Sequence, residues 1–309
     1  MLPYSELVVL FDIVLRSGVV IDGTGKPRYK SDIGIKDGRI VELGQKNARR
    51  NGIDVNADQY PYIGGQTGLY AILPPWVQEG GLERLVDRLK DSTCRERIKL
   101  DIAKGIPGWQ NWIADVGWDN VMVVALQTEQ NKSFESRRID EIARMRGQST
   151  AEALFDILVE EEARASMVVF CGSEDDVKDF MRRPWVMIGS DHNGIKPSEG
   201  PLGGRQDPRA YGTFPRILGR YVREHRIFTI EEAIRKMTSL PAQKLGLKDR
   251  GLIHEGSWAD IVVFDSLLIT DRATYEDPAE YSQGVEYVLV NGQVVFEKGT
   301  FTGERPEGY

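Results

Sequence analysis

Hydrophobic and polar residues alternate at both ends of this chain and fall at helical spacing between them. In residues 12–23 apolar positions lie on either side of Gly18, and the run stops at Asp22-Gly23. A second turn signal, Asp37-Gly38, separates Asp32-Ile-Gly-Ile-Lys36 from Arg39-Ile-Val-Glu-Leu43. Asp-Gly between alternating runs predicts a hairpin, because both central residues of the tight turn need positive φ. The C-terminal end has the same texture. Residues 258–265 read as a strand, and residues 286–297 read as a hairpin around Asn291-Gly292.

The middle has a different period. Leu82, Leu85, Val86 and Leu89 mark one face of a helix. Ser149-Thr-Ala-Glu152 predicts a capping box, in which the Ser hydroxyl and the Glu carboxylate each satisfy the other's free backbone N–H. It opens a helix running to about residue 163. Thr229-Ile-Glu-Glu232 opens another, which ends before Pro241. Short apolar runs at 121–126, 167–170 and 186–188 lie between the helices. Buried strands alternating with helices predict a parallel α/β arrangement. Two β-rich ends around such a middle suggest one composite β domain built from both termini. The basic stretch 46–52, Lys-Asn-Ala-Arg-Arg-Asn-Gly, reads as a linker or a solvated helix end.

Composition narrows the function classes. The chain has 309 residues, 41% of them hydrophobic and 28% charged, as in a soluble globular protein. Forty Lys and Arg against 47 Asp and Glu leave a net charge of −7, which argues against nucleic acid or an anionic membrane as partner. Cys94 and Cys171 form neither a disulfide framework nor a CxxC pair, which fits a reducing cytoplasm. The apolar stretch at 7–15 is broken by Asp12, is too short to span a bilayer, and lacks the marks of a signal peptide.

Three segments are candidates for chemistry. Asp191 follows the apolar run Val186-Met-Ile188 and precedes His192-Asn-Gly194. A carboxylate at the C-terminal end of a buried strand can bind a metal or move a proton, or it can simply cap the following turn. Asp58-Gln-Tyr-Pro-Tyr62 runs into a turn with glycines at 64, 65 and 68. Tyr60 and Tyr62 there supply hydroxyl donors, or pack on a rigid loop. Residues 205–216, with Arg205, Arg209 and Arg216, offer guanidinium forks for a carboxylate, or surface ion pairs. His225 and His254 stand in charged or loop surroundings, and both cysteines read as small apolar residues. Trp109, Trp112 and Trp118 read as packing residues.

Taken together, these segments resemble the D-aminoacylase, or N-acyl-D-amino-acid deacylase, branch of the amidohydrolases. The motifs that carry the resemblance are Ala57-Asp-Gln-Tyr-Pro-Tyr62, Ile188-Gly-Ser-Asp191, Pro208-Arg-Ala-Tyr-Gly-Thr-Phe-Pro-Arg216, Lys236-Met-Thr-Ser-Leu-Pro-Ala-Gln243 and Gly256-Ser-Trp-Ala-Asp-Ile-Val-Val-Phe-Asp265. The resemblance implies an α/β fold of the metal-dependent hydrolase type, a (β/α)8 TIM-type barrel with a small β-sandwich made by both chain ends. It implies hydrolysis of the amide of an N-acyl-D-amino acid at a zinc site. Asp191 then takes the acid–base role and is also a metal-ligand position. Arg209 grips the substrate carboxylate and Tyr60 assists it.

The departures are as specific as the matches. The family places a His-x-His, a metal-binding cysteine and two further histidines between the first β segment and the segment beginning near Gly52. Here Glu42-Leu-Gly44 passes through residues 46–50 directly into Gly52-Ile-Asp-Val55, and Asp191 is the one family ligand position retained. The expected layout is therefore residues 1–47 as the N-terminal part of the β-sandwich, 48–247 as an incomplete barrel, and 248–309 as the C-terminal part. Asp207 stands where the family usually has His, His192 where it has Gly, and Gln66 near a small hydroxyl position. Three readings follow: a deacylase impaired or inactive alone, one half of a split enzyme needing a complementing chain, or a non-catalytic binding protein. In each the small-molecule ligand is an N-acyl amino acid.

Overall fold

The computed structural model describes residues 13–20, 29–36, 39–43, 56–194 and 206–306, the first three stretches as backbone. The turns at Asp22-Gly23 and Asp37-Gly38, the basic stretch 46–52 and Arg205 lie outside the described residues. The chain divides into two compact units, Met1–Ala57 and Asp58–Tyr309.

The first unit contains an antiparallel sheet of β1 (Ile13–Val20), β2 (Tyr29–Lys36) and β3 (Arg39–Leu43). Lys36 pairs with Arg39. The register of β1 shifts between Leu15 and Gly18, so the glycine within the alternating run marks a bulge.

β4 (Ala57–Gln59), which runs into the second unit, pairs with β9 (Val186–Ile188). β5 (Gly64–Gly68), β6 (Val121–Val124), β7 (Arg137–Arg138) and β8 (Ser166–Phe170) form a sheet in the order β5-β8-β6-β7. Every pairing in that sheet is antiparallel, which corrects the parallel arrangement expected for the runs at 121–126 and 167–170. β6 folds back through β7, and two helices rather than one then intervene before β8, so the chain re-enters from the opposite end. An apolar run buried on both faces reads the same in either direction, so pattern alone left the direction open.

Helices cover one face of this sheet: α1 (Pro75–Gln78), α2 (Leu82–Lys90), α3 (Ser92–Lys104), α4 (Trp112–Val116), α5 (Ile139–Arg146) and α6 (Thr150–Glu160). Leu85, Val86 and Leu89 of α2 are buried as the spacing predicts, while Leu82 at its first position is exposed. Val121, Val123, Met167 and Val169 point into this helical core. Met122, Val124 and Val168 point to the other face, where Phe170 and Tyr275 cover them. The strand period of two thus separates a structural face from the face toward the site.

The Ser half of the predicted capping box forms, with the Ser149 hydroxyl accepting from the Glu152 N–H. The Glu152 carboxylate instead pairs with Arg95 and Lys99 on α3, because two cations there outbid one backbone N–H.

The rest of the unit is α7 (Glu174–Met181), β9 (Val186–Ile188), α8 (Arg209–Arg216), a π-helical turn Ile217–Glu224, α9 (Ile230–Met237) and α10 (Ser239–Leu245). Thr229 caps α9, which ends before Pro241 as expected. Pro215 has no N–H to give to the helix ladder, and the wider π spacing begins just after it. An antiparallel sheet β10 (Ile261–Phe264), β11 (Val285–Val290), β12 (Gln293–Glu297) and β13 (Thr300–Phe301) closes the unit. Val290 pairs with Gln293 across Asn291 and Gly292, both at positive φ, as the Asn-Gly signal predicts.

Candidate functional site

β9 is three residues long, and Lys236 of α9 holds it from beneath. The buried Lys236 ammonium donates to the carbonyls of Arg183 and of Val186, the latter at 2.9 Å. Beyond β9 the Gly189 N–H donates to the Gln59 carbonyl at 3.1 Å, tying the strand end to the segment that carries Tyr60. The chain then turns at Asp191, whose φ of 46° lies in the left-handed region that Asp tolerates better than most residues.

Arg209 opens α8 at the same place. Its Nη2 lies 3.3 Å from Asp191 Oδ2, and its guanidinium carbon lies 4.5 Å from the centroid of the Tyr60 ring. The structure therefore brings together the three residues named from sequence, Asp191, Arg209 and Tyr60. Burial pushes the Tyr60 phenol up, against the lowering pull of Arg209.

Asp207 is fully buried beside them. Its N–H donates to Gln66 Oε1 at 2.8 Å, and its Oδ1 accepts the Arg209 backbone N–H at 2.9 Å. Its Oδ2 lies 4.0 Å from Arg209 Nη1 and accepts no hydrogen bond from the described residues, and the buried Arg209 Nε likewise makes none to them. Burial pushes the Asp207 carboxyl up to about 6, although Arg209 pulls the other way. Gln66, a departure in the sequence, holds this segment twice, since its Nε2 also donates to Gln206 Oε1 at 2.9 Å.

Tyr62, two residues on from Tyr60, is buried. Its hydroxyl donates to the Pro208 carbonyl at 3.4 Å, and Gly212 is required beside it because a Cβ there would lie 2.6 Å from that oxygen. Arg216 covers the Tyr62 ring at 4.7 Å, pairs with Asp271 at 2.9 Å and donates to the Pro61 carbonyl. Tyr275 accepts the Gly64 N–H at 2.9 Å and meets Phe170 and Tyr62 edge-on. Sequence reasoning missed Asp271, Tyr275 and Gln206. The first two lie in the irregular segment between β10 and β11, where no periodicity marks a site.

The other candidates lie apart from this cluster or join it weakly. His192 is half-buried beside Asp191, its Nδ1 is 3.1 Å from the Asn193 carbonyl, and burial holds its ring below the usual range. His225 packs on the Tyr221 ring, and His254 is exposed. Cys94 sits at the start of α3, and Cys171 is exposed. Trp109, Trp112 and Trp118 pack on the helical core, as read from sequence.

All three histidines and both cysteines are among the described residues, and no three or more His, Cys, Asp or Glu side chains among the described residues are grouped to hold a metal ion. A zinc site takes about three protein ligands or more. Asp191 instead faces a guanidinium. The donor set among the described residues does not fit a tightly held zinc.

The strand end that carries Asp191, with Arg209 and Tyr60 converging on it, makes up the candidate site. The amidohydrolase family model matches residues 115–296, more than half of the chain, and the chain belongs to the amidohydrolase family. Within the family it is similar to deacylases of D-amino acids. It is 45% identical over 132 residues to N-acyl-D-glutamate deacylase of Alcaligenes xylosoxydans xylosoxydans, covering 43% of this chain and 26% of that protein. It is 40% identical over 171 residues to D-aminoacylase of the same organism, covering 55% of this chain and 33% of that protein. Among solved structures it resembles N-acyl-D-glutamate deacylase from Bordetella bronchiseptica, complexed with zinc and a phosphonate inhibitor, with a TM-score of 0.57, 30% identity, and coverage of 82% of this chain and 42% of the other. A D-aminoacylase crystal structure matches with a TM-score of 0.57 and 31% identity, over 84% of this chain and 43% of the other. The matches thus span a quarter to a third of the curated relatives and under half of the solved chains.

Proposed function

We propose that this chain is the substrate-gripping body of an N-acyl-D-amino-acid deacylase, impaired or inactive by itself. The observation that carries the reading is Arg209, held between Tyr60 and Asp191 by three separate segments. A guanidinium suits bidentate capture of a carboxylate, and the flat Tyr60 face fixes its plane. Arg209 is 5% exposed and Asp191 is 72% exposed, so Asp191 is the partner that an incoming carboxylate can displace. Substrate binding would then release Asp191 to move a proton to a leaving amine. No step is assigned to a metal, because the donor set among the described residues does not fit one.

The same reading includes residues 1–47 and 248–309 as parts of one β-sandwich and 48–247 as a partial barrel. Two free thiols, Cys94 and Cys171, support a reducing cytoplasm. Among the described residues no helix is long and apolar enough to cross a membrane.

The test pairs elemental analysis for zinc with amine release from N-acetyl-D-amino acids and calorimetric binding of the same compounds. Binding without metal or turnover is expected. Stoichiometric zinc with turnover would refute the impaired state.

A second reading is favoured by the direct passage from Leu43 to Gly52 and by the partial coverage of the relatives. In it a complementing chain, or a second copy, supplies the metal ligands and the missing strands. A separately expressed His-x-His-bearing chain should then restore turnover on mixing.

A further inference from the structure

We propose that Asp207 sets the ligand class of this site, admitting N-acyl amino acids with a neutral or N–H-donating side chain and rejecting those with a second carboxylate. This rests on the deacylase reading and narrows it.

One guanidinium, Arg209, serves two carboxylates, Asp191 at 3.3 Å and Asp207 at 4.0 Å. The two differ in mobility. Asp191 is exposed and exchangeable, whereas Asp207 is held through its N–H by Gln66 and through Oδ1 by the Arg209 backbone, with no exposure. When a ligand carboxylate replaces Asp191, Asp207 stays, and the charge of Arg209 is already shared. The neighbouring arginine, Arg216, is taken by Asp271 at 2.9 Å and by the Pro61 carbonyl. Among the described residues of the site no further cation is left for a second ligand carboxylate, which would face a buried like charge. By contrast, Asp207 Oδ2 is a buried acceptor without a hydrogen bond from the described residues. Such an atom carries a desolvation cost, which an N–H donor brought up to it by the ligand would remove. The carboxyl is pushed up to about 6 by burial, so at pH 7.5 it carries its charge.

N-acetyl-D-glutamine and N-acetyl-D-glutamate are the probes, because they share shape and differ in the second charge. By calorimetry at pH 7.5 the wild type should bind the glutamine compound at least tenfold more tightly. Asp207→Asn, which keeps the shape and the Oδ1 acceptor, should bring the ratio within threefold, by tightening the glutamate compound. A wild-type ratio below threefold overturns the proposal without any variant. An unchanged ratio in a folded Asp207→Asn overturns it too.

Acetate and malonate, titrated while following the Arg209 Nε–H resonance, separate this inference from the deacylase reading. If neither amino-acid derivative binds, yet Asp207→Asn raises malonate affinity at least fivefold relative to acetate, the deacylase reading falls and the role of Asp207 stands. If the variant leaves both anions unchanged, the role of Asp207 falls.

Discussion

Arg209 Nη2 and Asp191 Oδ2 stand 3.3 Å apart with very unequal access to water, 5% exposure of one side chain against 72% of the other. A buried cation paired with an exposed anion is an exchangeable pair. The anion loses little by moving into water, and the cation must then be met by another acceptor.

Asp191→Asn is therefore expected to act in two directions. It should abolish any amine release that the chain shows, alone or complemented. It should also leave carboxylate binding at Arg209 unchanged or up to a few-fold tighter, because a competing anion is gone. Calorimetry beside a turnover assay checks both, and retained turnover would move the chemistry elsewhere.

Arg209→Ala should weaken binding of an N-acetyl-D-amino acid at least tenfold, since a charge-assisted hydrogen bond is worth about 1.5–3 kcal/mol. Arg209→Lys should recover only part of this, because a lysine lacks the fork and the flat stack on Tyr60. Equal affinity in all three proteins would remove Arg209 from the site.

Asp207 makes stability depend on pH in a direction opposite to most carboxylates. Its carboxyl rises from 3.8 to about 6 on folding, so the folded chain holds a proton that the unfolded chain has lost. The associated stability is present below about pH 4 and is lost as pH rises through about 6, a change of about 3 kcal/mol at most. Asp207→Asn should lack this loss. Urea melts at pH 4.5 and 7.5 should show the variant gaining on the wild type at the higher pH, and a constant difference would contradict the assignment.

Lys236→Met keeps the buried stem and removes the ammonium that bonds the Arg183 and Val186 carbonyls. The Val186 carbonyl then loses this donor, and the Arg183 carbonyl keeps the Val186 N–H, at a cost of about 1–3 kcal/mol. The loss should appear in a urea melt, with faster amide exchange at Gly189, just beyond β9. Wild-type stability in the variant would show that water replaces the ammonium freely.

Much of the site was legible in short motifs. Tyr60, Asp191 and Arg209 each lie in a run whose residue types betray chemistry, and the structure places all three in one cluster. Asp207 was visible as an odd residue before Pro208, but its burial was not. Gln66 stood out as a departure, and only its bonds to Asp207 and Gln206 give it a purpose. Asp271 and Tyr275 left no signal, because a loop residue gains its role from whatever packs against it.

Local pattern by itself determined the elements whose stability is local: the Asn291-Gly292 hairpin, the Thr229 and Ser149 caps, and the apolar stripe of α2. Turn chemistry and caps act within a few residues, so their physics is written in adjacent letters. Tertiary structure decided what depends on distant partners. It set the direction of β6 against β8, turned Glu152 from its own helix end to Arg95 and Lys99, and placed two carboxylates on one guanidinium. Strand direction and charge pairing are set by which segments meet in space, and a one-dimensional period carries no record of that meeting.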